Sequence, residues 1–232
     1  MATEGGLFEI IKTAKGYYTR RAMNGSVYGL SASAQGLAIA SAKGVYVLTK
    51  DGRLREVGFQ VGAGEPRFGT VQWHAGDLFA GGLDGLYRFA ENGAQKISSE
   101  HGFSGGWVTA LKSQGSTLYI GTYDSGVYEF SSEVARRHRN LREQWVPPHA
   151  LGLLDGQLFV GGLGMPAVLV KKSGTSGLLS VPARDVNGFI FNNDSVSILT
   201  SDGRFEYRSL EMKAQLGGFT QTADALKLRK SR

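Results

Sequence analysis

The sequence predicts an all-β protein, a six-bladed β-propeller of four-stranded antiparallel blades. Three observations carry this. One motif recurs about every 40 residues, the spacing of a propeller blade. The 232 residues include 34 glycines but only 5 prolines, a balance that suits many tight turns between short strands. The apolar residues alternate or run in short β-branched and aromatic stretches, with no helical period.

The motif is a short apolar strand, a turn ending in glycine, and an aromatic strand. Its copies begin with Leu37-Ala-Ile-Ala-Ser-Ala-Lys-Gly44-Val-Tyr-Val-Leu and Leu78-Phe-Ala-Gly-Gly-Leu-Asp-Gly85-Leu-Tyr-Arg-Phe. Leu118-Tyr-Ile-Gly-Thr-Tyr-Asp-Ser-Gly126-Val-Tyr-Glu-Phe follows, and Leu158-Phe-Val-Gly-Gly-Leu-Gly-Met-Pro-Ala-Val-Leu-Val is a degenerate fourth. Val196-Ser-Ile-Leu-Thr-Ser-Asp-Gly203-Arg-Phe-Glu-Tyr is the fifth, and Ala2-Thr-Glu-Gly-Gly6-Leu-Phe-Glu-Ile reads as the second half of a sixth. The segment from Gly217 matches the beginning of a repeat. Pairing it with the N-terminal segment would complete the sixth blade and close the ring, removing exposed edge strands. The expected organisation is one domain over 1–232, with blades near 26–66, 69–105, 106–147, 148–184, 185–216, and 217–232 joined with 1–25.

Composition narrows the chemistry. Without cysteine, disulfides, thiolate catalysis and cysteine-based metal centres are excluded. Lysine plus arginine exceed aspartate plus glutamate by 26 to 20, a net charge of +6, which suits an acidic ligand or surface and equally serves solubility. No apolar run reaches the roughly 18 residues of a membrane span, and no signal peptide opens the chain. No recognition helix or basic–aromatic platform points to nucleic acid, and the basic run 227–232 reads as a frayed end.

The third copy, preceded by Trp107-Val-Thr-Ala-Leu, resembles the two-component regulator propeller repeat, and the resemblance extends over almost the whole chain. It rests on structural positions and carries no catalytic residue. It implies a bacterial sensor-type propeller in an extracytoplasmic setting, periplasmic or secreted. The fourth copy departs from the pattern, with Gly164-Met-Pro166 in place of the Asp-Gly turn.

Candidate contacts lie in the loops leading into the inner strands, near 20–26, 62–70, 100–107, 135–148, 180–185 and 213–219, and in the turns holding Glu4, Lys43, Asp84, Asp124 and Asp202. Unusually long loops are the better candidates. Arg67 stands in one; Arg137, Arg139 and Arg142, followed by Trp145, crowd another. Arginine forks pair bidentately with carboxylates and phosphates, and the same run also reads as a solvated outer strand. Trp107 follows two glycines at the start of an inner strand, placed to stack on a sugar or peptide or to pack between blades; Trp73 reads as core. The leading expectation is thus a non-catalytic module binding a small anionic ligand, sugar or peptide, with contacts from Arg67, Trp107, Arg137, Arg139, Arg142 and Trp145. The rivals are a protein-interaction scaffold and a channel-mouth lyase or lactonase-like hydrolase using His101, His149 and Asp185. No cofactor is implied and no metal site is expected: Asp185, Asn187 and Asn24 make a poor calcium cage, since calcium takes six or more oxygen ligands.

Overall fold

The computed structural model describes residues 1–57, 67–90, 93–171, 176–178, 185–192, 195–208 and 229–230. They form antiparallel sheets throughout, one of three strands and five of four, and the chain belongs to the β-propeller class. The described residues contain two single 3-10 turns, Ser99–His101 and Arg139–Leu141. No helix among them is long and apolar enough to cross a membrane. Two compact units are present, Met1–Arg142 and Glu143–Arg232.

In the first unit, β1 (Ala2–Thr3), β2 (Gly6–Thr13) and β3 (Gly16–Asn24) form the three-stranded sheet. The next sheet holds β4 (Val27–Ser33), β5 (Gly36–Ser41), β6 (Gly44–Leu48) and β7 (Leu54–Glu56). It is followed by β8 (Phe68–His74), β9 (Asp77–Gly82), β10 (Gly85–Ala90) and β11 (Gly93–Ile97), then by β12 (Val108–Gln114), β13 (Thr117–Thr122), β14 (Val127–Ser131) and β15 (Val134–Arg137). The second unit holds β16 (Leu151–Leu154), β17 (Gln157–Val160), β18 (Val168–Val170) and β19 (Ser176–Leu178), then β20 (Val186–Phe191), β21 (Ser195–Thr200), β22 (Gly203–Arg208) and β23 (Arg229–Lys230).

Each sheet runs in sequence order, strand beside next strand. The second strands carry the densest apolar runs because both of their faces are covered: Leu78, Phe79 and Ala80 of β9 are buried, as are Ala38, Ile39 and Ala40 of β5. β7 and the start of β11, both fourth strands, face water.

Within the first unit the first strands stand side by side and run the same way. Ser31 Oγ accepts the Trp73 amide at 3.1 Å, and His74 Nδ1 lies 2.8 Å from Ser113 Oγ. Where strands touch this closely, side chains must be small. A Cβ on Gly29 would sit 3.1 Å from the Gly69 carbonyl, and one on Gly81 would sit 2.2 Å from Val108 Cγ1. In the second unit a Cβ on Gly161 would meet Val186 in the same manner, at 2.5 Å from its carbonyl oxygen. The start of each first strand therefore lies at the same end as the turn between second and third strands.

Two expected loops are in fact strands. Residues 20–24 belong to β3, where Arg20 pairs with Glu9 and Arg21 with Phe8. Residues 134–137 form β15. Both stretches are charged and show no alternation of apolar and polar residues, so cross-strand pairing alone marks them as strands. Residues 217–228, expected to lead into the sixth blade, lie outside the described residues. Arg229 and Lys230, expected beside the N-terminal segment, pair with Glu206 and Phe205 of β22; the outermost strand is the part of the repeat with the least sequence pattern.

Candidate functional site at the turn end of the first unit

A hydroxyl clamp organises the turns between second and third strands. The Thr122 hydroxyl donates to the Gly126 carbonyl at 2.7 Å and accepts the Ser125 amide at 2.9 Å. Ser41 holds Gly44 and Lys43 in this way, and Thr200 holds Gly203 and Asp202; Thr3 also donates to the Gly6 carbonyl. A short hydroxyl side chain can mimic a backbone turn bond.

The corresponding residues in the other two sheets are Gly82 and Gly162, and different contacts brace those turns. The Tyr87 phenol donates to the Asp84 carboxylate at 2.5 Å; burial, and then that carboxylate, push the phenol pKa up. In the second unit the buried Gln144 amide takes the space a side chain at residue 162 would fill, and donates to the Pro166 carbonyl at 3.2 Å. Asp185 Oδ1 accepts the Gly164 amide at 2.7 Å.

Of the expected contact residues, Arg67, Trp107, Arg137, Arg139 and Arg142 all belong to the turn end of the first unit. Arg67 is exposed just before β8, its carbonyl against Gly82. Trp107 is 36% exposed and stacks on Tyr123, ring centroids 4.7 Å apart and planes 28° from parallel; its carbonyl accepts the Tyr123 amide at 2.9 Å. Arg137 ends β15, and Arg139 opens the short turn after it. That turn crosses the other side of the same 122–126 loop, where a Cβ on Gly126 would lie 2.0 Å from the Leu141 carbonyl. One turn thus carries the aromatic pair on one flank and the arginine segment on the other.

The arginines are not equivalent. Arg137 spends its guanidinium on the Arg142 carbonyl at 2.6 Å, whereas Arg139 and Arg142 are exposed and form no ion pair among the described residues. Between them and β14, His138 lies 3.8 Å from Glu129. Burial pushes its imidazole pKa down, with Glu129 opposing.

The other expected residues have structural settings. His101 Nδ1 accepts the Ser98 amide at 3.2 Å, and its Nε2 lies 3.0 Å from the Gln95 side-chain amide. It thereby closes the 3-10 turn against the outer strand β11. In the second unit, Trp145 is 50% exposed and its carbonyl accepts the Leu163 amide at 3.0 Å. His149 is exposed at φ +66° just before β16, and Asp185 is the turn brace described above. The described residues hold no cluster of three or more metal-ligating side chains.

Sequence reasoning missed Tyr123, which follows the clamp threonine and carries no motif of its own. It also missed a cavity of about 650 Å³ at the opposite end of the first unit, between strands β6–β7 and β8–β11. Val47, Trp73 and Phe89 are among its walls. Trp73, read as core, packs partly buried on the apolar cluster of these two sheets.

No family model and no curated protein sequence matches the chain. Solved structures do. The extracellular domain of a B. thetaiotaomicron protein described as a one-component system is 16% identical with a TM-score of 0.72, over 99% of this chain and 31% of its own length. The extracellular domain of a B. thetaiotaomicron protein described as a hybrid two-component system is 15% identical with a TM-score of 0.60, over 79% and 28%. A protein described as a gluconolactonase is 14% identical with a TM-score of 0.50, over 76% and 71%. At these identities the likeness is one of fold. The chain spans about a third of the length of the first and less of the second.

Proposed function

We propose that the protein is a non-catalytic binding module that recognises a small anionic ligand, a sugar acid or an acidic peptide, at the turn end of its first unit. The observation that carries this is the exposed Trp107 ring, held rigid by stacking on Tyr123 beside a turn whose other flank presents Arg139 and Arg142. An aromatic face packs on the apolar side of a sugar or side chain, and a guanidinium donates a fork of two hydrogen bonds to a carboxylate. The likeness to extracellular domains of bacterial signalling proteins supports a sensing role and an extracytoplasmic setting.

Titration of acidic oligosaccharides and peptides, read by isothermal calorimetry, tests the assignment. Trp107→Ala and Arg139→Ala should each weaken binding about tenfold or more, the worth of one charge-assisted or aromatic contact, with the melting temperature unchanged. Ligand binding that is indifferent to both substitutions would refute the site.

A further inference from the structure

The β2–β3 hairpin has no role in the proposed site. Its tip, at Ala14 and Lys15, lies at the opposite end of its sheet from the turn at Glu4. Its strands are the longest among the described residues, eight and nine residues, and residues 12–22 are exposed without interruption. Tyr17 is 71% exposed, Ile10 54% and Tyr18 52%. Isolated exposed apolar residues are ordinary, but three large ones on one hairpin, distributed over both of its faces, call for a partner.

Charge and geometry select the partner. The hairpin carries Lys12, Lys15, Arg20 and Arg21 against the single carboxylate of Glu9. Arg20 neutralises that carboxylate at 2.6 Å, so the tip is purely cationic. A second copy of the same surface would be repelled. Directly paired residues share a face of a hairpin. Tyr17 pairs with Lys12 and Tyr18 with Ile11, so the two tyrosines point to opposite faces. A single nucleic-acid strand stacks successive bases along one face, which this arrangement cannot offer. A lipid–water interface surrounds an inserted tip on all sides. It favours tyrosine at headgroup depth, aliphatic carbon below and lysine reaching to phosphate.

We propose that the β2–β3 hairpin tip docks the protein on anionic membrane surfaces, with Tyr17, Tyr18 and Ile10 entering the headgroup region and Lys12 and Lys15 pairing with lipid phosphates. This stands independently of the ligand site.

The test is co-sedimentation of the full chain with phosphatidylcholine vesicles with and without phosphatidylglycerol. Binding should require phosphatidylglycerol and weaken with salt. Lys12→Gln with Lys15→Gln should lower the partition coefficient about thirtyfold. Tyr17→Ser with Tyr18→Ser should lower it several-fold. Both variants should melt with the parent, because the mutated side chains are exposed. Absence of binding to phosphatidylglycerol vesicles overturns the proposal. So does binding that the variants leave unchanged, or tighter, hairpin-dependent binding to single-stranded DNA than to vesicles.

Discussion

The Asp185 carboxylate accepts a hydrogen bond from the Gly164 amide at 2.7 Å, across 21 residues of sequence. It supplies from outside the turn what Thr122 and Ser41 supply from within theirs. Asp185→Ala should therefore destabilise the protein by about 1–3 kcal/mol, the usual loss for a hydrogen bond to a charged group. At this chain length that is a fall in Tm of roughly 2–4 °C per kcal/mol, measured by thermal melt. Asp185→Asn, which keeps an acceptor, should recover part of it. A large loss of some measured turnover with an unchanged melt would instead give Asp185 a chemical role.

Gly126 and Gly115 separate steric from conformational demand. Both have positive φ, +77° and +55°, but a Cβ at Gly126 strikes the Leu141 carbonyl, whereas none of the surrounding atoms comes within 4 Å of one at Gly115. Gly115→Ala should cost about 1 kcal/mol from backbone strain alone. Gly126→Ala should cost clearly more and displace the arginine segment, seen as weaker ligand binding. Chemical denaturation of both variants checks the order.

Arg88 joins two sheets of the first unit. It bonds Asp77 on the neighbouring strand β9 and both carboxylate oxygens of Glu133 in the turn between β14 and β15, at 2.7 Å. Burial lowers its proton affinity, but the bonds to Asp77 and Glu133 outweigh burial and leave it raised. Removing one partner of a partly buried pair strands the others. Arg88→Ala should lose about 1–3 kcal/mol, and Arg88→Lys should recover only part because an ammonium cannot fork. Urea unfolding of the two variants distinguishes them.

His74 gives stability a pH dependence. Burial first, then the Arg88 charge, push its imidazole pKa below 6.5, with Asp77 opposing. The unfolded chain therefore binds this proton more tightly than the folded one. The contribution of His74 is fully present above about pH 6.5 and is lost as pH falls below it. Melting temperature should decline between about pH 7 and pH 5, and His74→Gln should flatten the decline.

The fold was legible because its repeating parts are made of local chemistry. The glycine that opens β2, β6, β10 and β22 recurs in sequence, and Gly126 stands one residue before β14; all five have positive φ. The clamp hydroxyls lay in the same lines of sequence, at Thr3, Ser41, Thr122 and Thr200. Trp107 and the arginines stand out in the sequence because they break a small-residue or polar context. Tyr123 was hidden, since an aromatic in a strand-rich repeat is expected to pack inward. His101 and Asp185 read in the sequence as available chemistry because they are titratable residues near loops; in the structure each accepts a backbone amide, that of Ser98 and of Gly164. The length of hairpin β2–β3 was hidden because its charged stretch at residues 19–21 shows no apolar–polar alternation.

The notch at Gly81 that receives Val108 recurs at Gly161 with Val186. Peg and socket are thus nearly the same at two separate seams. The two seams share one joint, a glycine of one sheet against a valine of the next.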